Sequence, residues 1–214
     1  MASIKLTGDT SGEITISAPA VAGTNTITLP ATTGTMALTS DISEPNLVRL
    51  AGETLASNAS SIEISASTLT TSYTNYELYT NLKPTTDGGI QFLRLRDNTA
   101  TLLNTVSAFQ QQNYRGGGSD FSDTTMSALT FIGGTGNASG ENVFAKYSIG
   151  DIRTSDKRCC IVFSATGAGT AGTIYLAQGG FITSVAEDNQ GIQLTFSSGD
   201  IASGSSYVLY GVKS

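Results

Sequence analysis

The stretch GEITISAPAVAGTNTITLPATTGTMALTSD, residues 12–41, decides how the chain is read. It holds almost no charge, and hydrophobic pairs recur at i, i+2: Ile14 with Ile16, Ile27 with Leu29, and Met36 with Leu38. Each pair is followed by a turn carrying Pro, Gly or Asn. Alternation over so few residues is the pattern of short, half-buried strands. Three strands with two apolar side chains each provide too small a core for independent stability. Another surface must therefore cover that face, and these six residues are the expected assembly interface.

The rest of the composition agrees with a β protein. Of the 214 residues, 13% are charged, about half the usual share. Polarity comes from hydroxyls instead: 26 Ser and 31 Thr, with 24 Gly beside them. Thr suits pleated strands, and Ser and Gly suit turns, so short strands are expected throughout and helix nowhere.

Composition also excludes functions. A net charge of −6 disfavours nucleic acid, because phosphate binding needs a basic stripe. No run of 18 apolar residues is present, so no membrane insertion is expected. The polar opening MASIKLTGDTSG lacks the pattern of a secretory signal, which suits synthesis in a cytoplasm. Adjacent Cys159 and Cys160 on one strand fall on opposite faces, as reduced thiols in a sheet would.

Near TSDISEPN, residues 39–46, charge and Pro45 mark a linker. Residues 1–44 are expected to form an anchoring and oligomerising segment and residues 45–214 a separate domain. Within the latter, segments such as NYELYTNL (75–82), VFAKYSIG (143–150), RCCIVFSAT (158–166) and GIQLTFSS (191–198) alternate between turn signals. About ten such strands predict a jelly-roll-like antiparallel β-sandwich.

The segment Gly12 to Asp41, with Ala18-Pro19, Ala22-Gly23-Thr24-Asn25-Thr26, Leu29-Pro30, Thr33-Gly34-Thr35 and Leu38-Thr39-Ser40-Asp41, resembles one near the front of tail-fibre and appendage proteins of tailed bacteriophages. YTNYELYTNLKPTTDGG (73–89) and GSSYVLYGVKS (204–214) are similar to the sandwich modules that end such proteins. The resemblance implies a virion structural protein assembled in a bacterial host, with itself (as a homotrimer) and other tail or capsid proteins as partners, and a host-surface glycan or protein as a further one. The long shaft repeats usual in tail fibres are missing. A short tail fibre or receptor-binding appendage is expected first, a capsid decoration (cement) protein second, and a polysaccharide-degrading tailspike third.

No catalytic arrangement stands out. The chain has no histidine, which removes Ser/His/Asp and Cys/His nucleophiles and histidine metal sites. GAGTAG (167–172) matches G-x-G-x-x-G, yet TIYLAQ follows it with strand alternation, so it reads as a hairpin loop. Tyr73, Tyr76 and Tyr79 recur every third residue, which on a strand sends them to alternate faces. In FQQQNYRGGGSDF (109–121), Tyr114, Arg115 and Phe121 flank three glycines on an expected loop over 110–125. Exposed Tyr and Arg on such a loop are candidate receptor contacts. The expectation is a non-enzyme with no cofactor and no metal. Chelator should then leave the thermal unfolding midpoint unchanged; a midpoint several degrees lower would identify Asp120 and Asp123 as part of a structural calcium site.

Overall fold

The computed structural model describes residues 3–8, 10–17, 20–21, 23–24, 46–103, 108–114, 119–123, 129–130, 134–169 and 173–213. The chain divides into two compact units, residues 1–43 and 44–214. All regular structure among the described residues is β.

The first unit holds an antiparallel ribbon of β1 (Ser3–Thr7) and β2 (Glu13–Ser17). Its register sets Ile4 opposite Ile16 and Leu6 opposite Ile14. Directly opposed residues share a face, so one side of the ribbon is aliphatic. The other side carries Lys5 and Glu13, paired at 2.7 Å. Strand β1 adds Ile4 and Leu6, a pair that residues 12–41 do not contain.

The second unit contains β3 (Leu47–Thr54), β4 (Ile62–Ser65), β5 (Asn75–Leu82), β6 (Gln91–Arg96), β7 (Ala108–Tyr114), β8 (Ser119–Asp123), β9 (Leu129–Thr130), β10 (Val143–Gly150), β11 (Cys160–Ala168), β12 (Ile174–Ile182), β13 (Gly191–Phe196) and β14 (Ser206–Val212). An eight-stranded sheet runs β3-β14-β5-β10-β11-β12-β7-β8, and a four-stranded sheet runs β4-β13-β6-β9. Every pairing is antiparallel. The architecture is an all-β sandwich of two unequal sheets.

Alternation builds the core. On β5, Tyr76, Leu78, Thr80 and Leu82 are buried, while the residues between them face out. Val143, Ala145, Tyr147 and Ile149 of β10 do the same, as do Ile161, Phe163 and Ala165 of β11. From the small sheet come Ile62, Ile64, Leu93, Leu95, Ile192, Leu194 and Phe196, all in the same cluster. One polar link crosses the core: the Gln91 amide donates to the Tyr147 hydroxyl at 2.8 Å and to Thr80 Oγ1 at 3.3 Å. Loops supply further buried groups, among them Leu69, Ile152, Cys159 and Ile201.

The tyrosine triplet divides as the strand period requires. Tyr76 is buried, Tyr79 takes an outer position on β5, and Tyr73, ahead of the strand, packs against the core edge-on to Tyr76. Tyr73 also covers Gly211, where an added Cβ would come within 2.6 Å of its ring.

This assignment of faces predicts opposite outcomes for two substitutions in the large sheet. Leu78→Ala should cost about 2–5 kcal/mol by opening a cavity. Val162→Ala should stay within about 0.5 kcal/mol, as exposed positions do. Urea unfolding of the two variants checks both values.

Candidate functional surfaces

The aliphatic side of the β1–β2 ribbon is the first candidate. Ile4, Leu6 and Ile16 are 64%, 54% and 49% exposed, and Ile14 holds the register position opposite Leu6. Among the described residues of the first unit β1 and β2 are the only strands, and a two-stranded ribbon by itself is marginal in water, so the exposed stripe suits a partner surface. The other expected interface residues, Ile27, Leu29, Met36 and Leu38, lie outside the described residues.

The expected loop over 110–125 is corrected in its secondary structure. Residues 108–114 and 119–123 are strands β7 and β8, paired from Phe109 opposite Asp123 to Asn113 opposite Ser119. Sheet pairing of the polar run overrides the loop character of its Ser and Asp residues. Tyr114 ends β7 and pairs with Leu176 of β12, in a row whose Phe144, Thr166 and Leu176 face outward. Phe121 pairs with Gln111, in the row of Gly179 and Phe163. Phe163 faces the core, so Tyr114 and Phe121 share a hairpin but occupy rows of opposite faces. Arg115 lies outside the described residues. Asp120 and Asp123, three apart on β8, likewise fall in rows of opposite parity.

The two sheets present different outer surfaces. On the small sheet, Arg96 Nε and Nη2 both donate to Glu63 Oε2, at 3.1 and 3.0 Å, and Gln193 donates to Glu63 Oε1 at 2.7 Å. Arg94 lies over the Phe92 ring at 5.2 Å. This is a solvated, charge-laced face. Across β5, β10, β11 and β12 of the large sheet, by contrast, the outward positions carry only two charges, Glu77 and Lys146. Beside them stand exposed Phe144, Val162, Ile174 and Leu176. Lys146 meets Glu77 at 2.9 Å and lies 5.6 Å from the Tyr79 ring centre. Tyr79 in turn packs edge-on against Tyr210.

A third polar cluster ties loops together. Arg153, whose side chain is 11% exposed, donates through Nε and Nη2 to the two Asp188 oxygens at 2.5 and 3.1 Å. Its Nη1 donates to the carbonyls of Ala66 and Leu69, both at 2.9 Å. The hydrogen bonds from Arg153 hold the Asp188 carboxyl below its ordinary value, with Gln190 adding a further donor. Nearby, the Tyr76 hydroxyl donates to the Thr70 carbonyl, and burial raises its pKa. Each guanidinium nitrogen of Arg153 has a protein partner, which makes the cluster a clamp over the core.

Among the described residues, no three His, Cys, Asp or Glu side chains gather as a metal site would require. Cys159 is buried and Cys160 exposed, both as free thiols. Burial pushes the Cys159 thiol pKa far up, which leaves it unreactive. No described helix is long and apolar enough to cross a membrane. Comparison with known protein families, with curated proteins and with solved structures finds no match to this chain.

The clamp predicts a pH dependence with a definite sign. Asp188 titrates lower folded than unfolded, so its contribution is present above the ordinary value of 3.8 and lost as pH falls through the folded pKa. Arg153→Met should cost about 3 kcal/mol at neutral pH. Thermal melts from neutral pH downward should show the gap between parent and variant narrowing only in the acid range. A residual gap should remain, because the Ala66 and Leu69 carbonyls lose their donor at every pH.

Proposed function

We propose that the protein is a structural component of a tailed-phage virion, a short tail fibre or receptor-binding appendage. Residues 1–44 serve as its attachment and trimerisation segment, and residues 45–214 carry the recognition surface. The observation that supports this reading is the exposed aliphatic stripe of Ile4, Leu6 and Ile16 on a ribbon with no second layer among the described residues of its unit. Such a stripe gains stability only against another surface, and copies of itself around an axis are the simplest one. Its strand β2 begins the Gly12–Asp41 segment that resembles the front of phage appendage proteins. The sandwich is read as jelly-roll-like, since sequence-distant strands become neighbours, β14 lying between β3 and β5.

Residues 44–214 have a core of their own, so a chain beginning at residue 45 should melt as a cooperative sandwich. It should sediment as a monomer where the full chain sediments as a trimer, and it should be missing from purified particles. Leu6→Asp in the full chain should act in the same direction. A truncated chain that joins virions as well as the full one would overturn the anchoring role. Antibody labelling of particles fixes the location: tails for an appendage, the whole head for a decoration protein.

A further inference from the structure

The outward rows of β10, β11 and β12 enclose a shallow groove, lined by Lys146, Ser148, Val162, Ser164, Gln178 and Gly180. Its floor exists because of Gly180. That residue stands in the outward row of Ser148 and Val162, and a Cβ there would come within 2.5 Å of the Ile161 carbonyl oxygen. A side chain is thereby excluded at this position of the groove lining. Next to it runs the row Tyr79–Lys146–Ser164–Gln178, set by register across four adjacent strands. Such a row places one polar or aromatic group about every 4.8 Å along a nearly straight line.

The chemistry of the lining narrows what can lie there. An anion needs an uncompensated cation, but Lys146 is paired with Glu77 at 2.9 Å, and Ser148 donates to the same carboxylate at 2.8 Å. A peptide adding as a strand needs an open edge. Strands β10, β11 and β12 are each hydrogen-bonded on both sides, so their backbone groups are spent. A purely apolar ligand would strand the Ser164 hydroxyl and the remaining Lys146 N–H groups without water. Hydroxyl groups both donate and accept, and so match a lining that mixes ammonium, hydroxyl, amide and carboxylate groups. Val162, 63% exposed, and the Gly180 Cα offer a small apolar patch for the C–H face of a ring.

We propose that this groove binds a neutral saccharide, an extended β-1,4-linked hexopyranose chain laid across the strands with successive rings over the Tyr79–Gln178 row. The spacing of the row is close to the repeat of one ring in such a chain, and its straightness suits an extended polymer over a coiled one. The inference does not depend on the virion reading, because the groove lies wholly within residues 44–214.

The test is titration of the isotopically labelled full chain with cellohexaose, mannohexaose (β-1,4-linked) and chitohexaose at millimolar concentrations, followed by amide NMR. Maltohexaose serves as the coiled control and sodium phosphate as the anion control. At least one extended chain should shift the amides around residues 146–148, 162–164 and 178–180. Ser164→Trp, which fills the groove from an exposed position, should weaken binding by at least about tenfold, or 1.4 kcal/mol, with an unchanged melting midpoint. Should that variant unfold, Gln178→Ala should still weaken the same chain by about threefold through the lost amide contact. No shift with any extended chain would overturn the proposal. So would shifts caused only by maltohexaose or only by phosphate, or undiminished binding by the folded variants.

Discussion

A sheet of eight strands spans about twice the width of a sheet of four, and this inequality governs the second unit. The buried cluster is built from the large sheet, from β4, β13 and β6, and from loops as well. Leu69, Ile152, Cys159 and Ile201 all reach full burial from outside the strands. Arg153 then fixes two of these loops to a third, holding the Ala66 and Leu69 carbonyls and the Asp188 carboxylate in one fork. A guanidinium suits the task because its donors lie in one plane at fixed angles. Lysine would supply the charge without the geometry.

The same inequality separates the roles of the two outer faces. The small sheet keeps its exterior wet with the Glu63, Arg96 and Gln193 network. The interior strands of the large sheet carry hydroxyls, amides and scattered aliphatics around one internally neutralised ion pair. A surface so poor in charge has a low desolvation cost. Contact with a polar, uncharged partner therefore loses less there than on any charged face of the molecule.

Period-two alternation made most of the sandwich legible. NYELYTNL and VFAKYSIG coincide with β5 and β10 from first residue to last, because buried and exposed positions strictly alternate on both. Strand β8 was hidden, since SDFSD has the composition of a turn and becomes a strand only through its pairing with β7. Strand β1 was hidden by its short length and polar flanks. The partition into eight and four strands is not written locally at all: β14 enters between β3 and β5 through pairings such as Leu209 with Leu78. For the same reason the groove could not be read from sequence. Lys146, Ser164 and Gln178 come from three segments with no shared motif, and only cross-strand register sets them in one row.

The adjacent cysteines have a practical corollary. Because Cys159 is buried in the loop ahead of β11 while Cys160, the first residue of that strand, is exposed, the chain carries a single thiol open to alkylating reagents. Cys160 lies on β11 two residues before Val162, on the same outward face as the groove. A fluorophore attached there would sit one row from the groove floor without any change to the sequence. The native chain thus contains its own attachment point for an optical reporter of occupancy on that face, and the buried neighbour would leave the labelling stoichiometry at one.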